Sequence, residues 1–344
     1  MRAQRSVHVL SALAVLACAV AACGGASTQD GTKASVSTTT LPVVTGVTGS
    51  AAGGGYAALG RVERVSVLPV APGRVAPRLL ADGTMRPGAL RIAFRQFGSG
   101  PDLVLVTGEH GSLTAWDPQV LLELGAHYRV TVFDLPGIGY SEPSPRVETV
   151  SSLADLTAGL IWSLGLSQPT VVGWGFGGEV AMSLAERHPG LVWRLVLADA
   201  TAGGPRFYRP AAAVSRLLAS PSTTQQEIAQ LFFPADEGTA RLNWLSDVGQ
   251  ISPDDVTASA IVAQAALIAR MSRDSAVAHE LGRIRIPTLI LAGSDDVVVP
   301  VANARELERR IAHSRLVIFS GAGYASIFQY ASDFVDQLIT FTGA

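Results

Sequence analysis

The chain has 344 residues, of which 48% are hydrophobic and 16% charged, with a formal net charge of −2. That is ample apolar material for a large core, and it removes the electrostatic case for binding nucleic acid. The 2 cysteines are Cys18 and Cys23, so nothing beyond residue 23 can form a disulfide, act as a thiol nucleophile or bind a metal through sulfur.

Residues 1–23 read as an export signal. Arg2 and Arg5 supply a positive start, Val7 to Val20 is mostly apolar, and small residues precede Cys23. The apolar run is short for a bilayer span. Val20-Ala21-Ala22-Cys23 resembles a bacterial lipobox, which implies lipidation of Cys23 and anchoring to the outer face of the cell membrane; an ordinary cleaved secretory peptide is the alternative. Residues 24–60 are Gly, Ser, Thr, Ala and Val with Asp30 and Lys33 as the only charged side chains, which is the composition of a flexible tether. Residues 61–344 have the length of one large α/β domain.

Within that domain Arg91 to Phe97 alternates like a half-buried strand, and Leu103 to Val106 is a buried-strand run. A helix is predicted over Trp116 to Leu124, a strand over Arg129 to Phe133, and a helix over Val150 to Leu164 capped by Ser151 or Ser152. Thr170-Val171-Val172-Gly173-Trp174 is a strand that runs into Gly175-Phe176-Gly177-Gly178, with a helix expected from Glu179 to His188. Arg194 to Leu197 is a further strand. Prolines 210, 221, 234 and 253 then divide short helical segments over about 203–281, read as a cap. Strand–helix alternation resumes with Thr288 to Ala292, Val301 to Ile311, Leu316 to Phe319 and Ala331 to Phe341. Such alternation implies a mostly parallel sheet with helices on both faces.

The strand-to-helix corner has the form of a nucleophile elbow, G-x-S-x-G, with Gly175 where the serine belongs. Around it, Thr107-Gly108-Glu109-His110-Gly111-Ser112 followed by Trp116 resembles an oxyanion loop, and Asp134 to Ser141 fits a D-x-x-G-x-G-x-S loop. Gly293-Ser294-Asp295-Asp296 with Pro300 resembles the turn that carries a catalytic acid. Gly321-Ala322-Gly323-Tyr324 with Gln329 resembles the segment that carries a catalytic histidine. In order and spacing these motifs resemble the α/β-hydrolase superfamily (AB hydrolase-1 type). The resemblance implies an α/β-hydrolase fold, a mostly parallel central sheet with helices on both faces and a helical cap insertion.

Carried over by position, the resemblance puts Gly175 at the nucleophile, Tyr324 at the base and Asp296 at the acid, so only the acid survives. Glycine cannot form a covalent intermediate. A phenol ionises near pH 10 and chiefly donates, and a static hydrogen bond from Tyr324 to Asp296 is the expectation. Asp199 resembles an alternative acid position and reads as a turn or cap residue, while Asp295 reads as solvated. The backbone N–H groups of Glu109 and Phe176 would form an oxyanion hole, with His110 and Trp174 beside it, able to hold an apolar or acyl ligand. Neither a cofactor nor a metal site is expected, because no ligand spacing and no dinucleotide fingerprint stands in the sequence. The expectation is a silent hydrolase-like protein, comparable to neuroligins and N-myc downstream-regulated proteins, that binds a small ligand or a protein. The alternatives are a hydrolase or lyase working through His110, Asp296 and Tyr324, and a structural envelope protein with a filled site.

Overall fold

The computed structural model describes residues 39–40, 66–70, 90–109, 111–143, 149–248, 257–271, 273 and 276–344. The expected signal, Cys23, most of the expected tether and His110 lie outside the described residues.

Among the described residues nine strands form one sheet: β1 (Thr39–Thr40), β2 (Ser66–Val70), β3 (Leu90–Phe97), β4 (Asp102–Val106), β5 (Arg129–Phe133), β6 (Thr170–Trp174), β7 (Arg194–Ala198), β8 (Thr288–Gly293) and β9 (Ser314–Phe319). Their order is β1-β2-β3-β5-β4-β6-β7-β8-β9. The β1–β2, β2–β3 and β3–β5 pairs are antiparallel, and every pair from β5 to β9 is parallel. The short β1 falls inside the segment whose composition reads as a tether.

The helices are α1 (Pro118–Gly125), α2 (Val150–Ser163), α3 (Phe176–Arg187), α4 (Ala212–Ala219), α5 (Gln225–Phe232), α6 (Gly238–Val248), α7 (Ala258–Met271), α8 (Ala276–Glu280), α9 (Ala302–Arg310), α10 (Ser326–Gln329) and α11 (Ala331–Thr342). Their starts have local causes. Asp117 accepts from the Gln119 and Val120 amides ahead of α1, with Pro118 in the first turn. Thr149 and Ser152 form a capping box on α2, so the cap is Thr149 and Ser152 sits three residues inside. Thr224 and Glu227 do the same for α5. Helix α3 begins at Phe176, three residues earlier than its sequence suggests, with Gly175 as a cap that has no side chain to offer.

Strand alternation divides the core. Val104, Val106 and Val171 face a cluster with α2, α3, α7, α8 and α9; Leu103, Leu105, Val172 and Trp174 face one with α1, α4, α5, α6 and α11. From β4 the chain crosses to β5 on one side and β6 lies on the other, so the carboxyl ends of β4 and β6 form a topological switch point. Val106 pairs with Gly173 there, which brings the loop after β4 beside the corner after β6.

Candidate functional site

The corner is built by backbone constraints. Gly175 has φ 53 and ψ −119, and its amide donates to the Ala198 carbonyl at 2.9 Å while its carbonyl receives the Gly178 amide at 2.9 Å. A side chain in that conformation is strained, by about 1–3 kcal/mol for a non-glycine residue. Gly177 is pressed against the Val106 and Thr107 carbonyls, so α3 can approach β4 only without a Cβ at that point.

Tyr324, on the loop between β9 and α10, occupies the space above the corner. A Cβ built on Gly175 would coincide with the Tyr324 hydroxyl and lie 2.6 Å from its Cζ, far inside any non-bonded contact. The phenol oxygen thus stands about where the side chain of residue 175 would begin. Tyr324 is fully buried. Its ring lies 5.1 Å from Trp174 and 4.8 Å from Phe232, centroid to centroid. Trp174 is further enclosed by Trp116 at 6.2 Å, Phe328 at 4.9 Å and Phe232 at 5.7 Å, and its indole N–H donates to the Tyr324 carbonyl at 2.9 Å.

Phe232 comes from α5, between β7 and β8, and it is tied down as well as packed. Its carbonyl accepts the Ala325 amide at 3.1 Å, and a Cβ on Gly323 would strike the same carbonyl. Rings from the loop after β4, from β6, from α5 and from the loop after β9 therefore converge on one closed cluster. Trp174, expected beside a ligand space, is 1% exposed within that cluster, and the side chain of Phe176, whose backbone N–H is the part expected at the oxyanion hole, is 4% exposed in the core on the other side of the sheet.

The expected Tyr324–Asp296 hydrogen bond does not form. Asp296 Oδ1 accepts the Val298 and Val299 amides at 2.7 and 2.8 Å, while its Oδ2 and the Tyr324 hydroxyl are both buried without partners. The turn after β8 uses the acid to close itself, a local role that outcompetes the distant phenol. Burial pushes the Tyr324 pKa well above 10, helped by Glu109, Asp296 and Asp199. The Glu109 backbone N–H works the other way on the phenol, yet it lies outside hydrogen-bonding geometry.

Three carboxyls act on Tyr324, those of Glu109, Asp296 and Asp199, and a fourth, Glu179, acts with Glu109. Asp199 is the described non-glycine residue at the end of β7 with φ 47; its Oδ1 accepts the Gly293 amide, and its Oδ2 accepts the Ser326 amide and hydroxyl. It therefore ties β8 and the start of α10 to β7, in keeping with a turn or cap role. Burial raises its pKa to about 8. Asp296 is raised as well, by burial and then by Asp199. On the other side Glu109 retains some exposure, which works against its desolvation, but burial still lifts its carboxyl to about 7. Glu179, in the first turn of α3, is 4% exposed with Oε2 unpartnered, and burial followed by Glu109 raises it well above 4.5. Asp295 is exposed and accepts the Ser294 hydroxyl.

The other motifs are structural clamps. Asp134 receives the Leu113 and Tyr140 amides at 2.6 and 2.9 Å, and Ser141 joins the Asp134 carbonyl to the Ala93 amide. Thr107 accepts the Trp116 indole N–H at 3.3 Å. Among the described residues no group of three or more His, Cys, Asp or Glu is placed to hold a metal ion.

Sequence reasoning missed Glu179, Phe232, Trp244 and Phe328 at this centre. Only Glu179 left a signal, as an acid directly after a glycine corner on a helix face that packs inward.

This strand order, with an elbow at the switch point, is that of a known architecture. A model of the alpha/beta hydrolase fold matches residues 101–241. RutD of Stutzerimonas stutzeri, assigned as a carbamate hydrolase, is 30% identical over 66% of this chain and 85% of its own length. The chain belongs to the α/β-hydrolase superfamily. The pimeloyl-[acyl-carrier protein] methyl ester esterase of Vibrio atlanticus is 29% identical over 71% of this chain and 95% of that protein. Polyketide synthase ThaQ of Burkholderia thailandensis is 26% identical over 74% of this chain, which spans 12% of that protein's length. The crystal structure of esterase RhEst1 from Rhodococcus sp. ECU1013 superposes with a TM-score of 0.65 at 24% identity, over 81% of this chain and 98% of that one, and shares the superfamily's fold.

Proposed function

We propose that this superfamily member is non-hydrolytic, is exported, is held to the outer face of a bacterial cell membrane through a lipidated Cys23, and works by binding a protein partner. One observation carries the silent site: the Tyr324 hydroxyl fills the place where the side chain of residue 175 would start. Gly175 has no atom to attack a carbonyl, and the phenol in its place is buried, protonated at neutral pH and without a base. Relatives named as a methyl ester esterase and a carbamate hydrolase make acyl-type hydrolysis the chemistry that has been lost. The packed rings leave the elbow closed to the small apolar or acyl ligand that an open pocket would take, which favours a partner met on the outer surface.

The test is hydrolysis of p-nitrophenyl acetate and butyrate, together with fluorophosphonate labelling. Wild-type protein should match the buffer blank and take no label. Turnover that disappears in Asp296→Asn or His110→Gln would overturn the reading in favour of a non-standard active site. Anchoring has its own test. Metabolically supplied palmitate should enter the wild type but not Cys23→Ala, which should leave the membrane fraction; palmitate-free wild type would make the N-terminus a plain secretory signal.

A further inference from the structure

Strand pairing at the first edge of the sheet fixes the side from which the N-terminal chain enters it. The strands from β5 to β9 run parallel, with the elbow at the carboxyl end of β6; β3 runs against them, β2 with them and β1 against them again. Phe133, the last residue of β5, is level with Phe94 of β3, Phe94 with Ser66 of β2, and Ser66 with Thr40 of β1. Thr39 pairs one residue farther along β2, with Val67. Because β2 runs the same way as the parallel strands, that step leads beyond Phe133 and away from the strands' amino ends. The chain therefore comes into β1 from the carboxyl-end side, the side of Gly175 and Tyr324.

That entry point limits how a lipid on Cys23 can present the domain. Only residues 24–38 separate Cys23 from β1, and a chain of that length and Gly/Ser/Thr-rich composition has a root-mean-square span of about 20 Å and a fully extended reach of about 50 Å. A compact domain of roughly 280 residues has a radius of gyration of about 19 Å and so a width of about 50 Å. The carboxyl-end side can meet the membrane with this connection relaxed. The opposite side meets it only with the connection drawn nearly straight.

The exposed apolar groups are distributed to match. Among the described residues the large hydrophobics left exposed are Tyr140, Trp193, Tyr208, Leu242, Val262 and Val297. Tyr140 follows β5, Val297 follows β8, and Tyr208, Leu242 and Val262 stand on the insertion that leaves the carboxyl end of β7; of the set only Trp193, just before β7, lies at the amino ends. Tyr208 is 60% exposed, and its backbone is fastened by two hydrogen bonds to Asn303 at the start of α9. Arg206 and Arg209 flank it and are exposed as well. A tyrosine between arginines suits a headgroup layer, where the ring lies at the apolar boundary and the guanidiniums meet phosphates. We propose that the carboxyl-end surface, centred on Tyr208 with Arg206 and Arg209, docks on the phospholipid headgroups of the membrane that holds Cys23, so that the closed elbow faces the bilayer. This rests on the reading of Cys23 as lipidated and adds the orientation of the domain.

The chain after Cys23 has no cysteine, so a single introduced thiol reports its own position. Leu242→Cys, Val297→Cys and Trp193→Cys, each at an exposed side chain, would be labelled with a nitrobenzoxadiazole fluorophore in the full lipidated chain, reconstituted into phosphatidylethanolamine/phosphatidylglycerol vesicles with or without nitroxide-bearing phosphatidylcholine. The lipid-borne nitroxide should quench the labels at 242 and 297 at least about twofold, since interfacial groups sit within about 5–10 Å of the headgroup boundary, and leave the label at 193 unchanged. Arg206→Asp/Tyr208→Asp should lower the quenching at 297 while the protein stays in the membrane fraction. Equal quenching at all three positions, stronger quenching at 193, or quenching at 297 unaffected by the double substitution would each overturn the docking. So would labels at 242 and 297 that are shielded from aqueous iodide yet untouched by the nitroxide, because a protein would then cover that face. Cys23 without palmitate refutes the anchoring reading and the docking with it; a palmitoylated chain with its three labels quenched alike refutes the docking alone.

Discussion

Tyr324 puts a hydroxyl in the core with nothing to bond it, and an unsatisfied buried polar group costs roughly 1–3 kcal/mol. Removing it should therefore help. Tyr324→Phe is expected to raise the urea midpoint by the equivalent of about 1 kcal/mol, the reverse of the usual tyrosine-to-phenylalanine effect. A loss of that size would mean that the phenol finds a donor or acceptor in solution. Gly175→Ser should do the opposite. It places a side chain at φ 53 and drives its Cβ into the phenol, so a loss above about 3 kcal/mol is expected in the same titration. Adding Tyr324→His should recover part of that loss by withdrawing the colliding atom; no recovery would show that backbone strain alone sets the cost. The missing serine was legible in the sequence, and so was the tyrosine at the base position. That one fills the other's place was not, because the coincidence is made by two loops that meet only when β6 and β9 take their places in the sheet.

Among the elements, the parallel strands and the helices that follow them were legible from buried runs and periodicity, to within a few residues. The strand β2 was not: it contains Pro69, which reads against a strand, although its antiparallel partner β3 was legible. The start of α3 was obscured by its own glycines, which are poor helix formers retained for close approach to β4. The helices between β7 and β8 were readable only as helices, and nothing in their sequence signalled that Phe232 would seal the centre. Their entry segment is held by Asn303, fully buried at the start of α9, whose side chain accepts from the Tyr208 amide at 2.7 Å and donates to the Tyr208 carbonyl at 2.9 Å. Asn303→Leu removes both bonds and leaves two backbone groups to resatisfy, so a cost of about 2 kcal/mol is expected. Limited proteolysis should then cut near Tyr208 before any other described loop. Unchanged cleavage would show that the contacts of Phe207, which is 6% exposed, hold the segment unaided.

At the scale of the whole molecule, the raised acids set how stability depends on pH. A carboxyl whose folded pKa lies above its unfolded value adds stability fully present below about pH 4 and lost as the pH climbs through the folded value. Glu109 and Asp199 place that loss up to about pH 7 and pH 8. Asp155 is lowered instead, Arg187 and His188 prevailing over its burial, and so acts only in the acid range. The thermal midpoint should fall steadily from pH 5 to pH 8.5, and less steeply in Glu179→Gln; a midpoint that rises over this range would contradict the assignment. The interlock of Gly175 and Tyr324 also bears on ancestry. Serine restored alone meets the phenol, and histidine restored alone has no hydroxyl to deprotonate, so neither single step back toward a hydrolase gains activity and the first loses stability. On the non-hydrolytic reading proposed above, the two positions act as a ratchet: neither substitution toward a hydrolase is rewarded without the other. The sign of the non-additivity in the Gly175→Ser and Tyr324→His cycle measures how firmly it has turned.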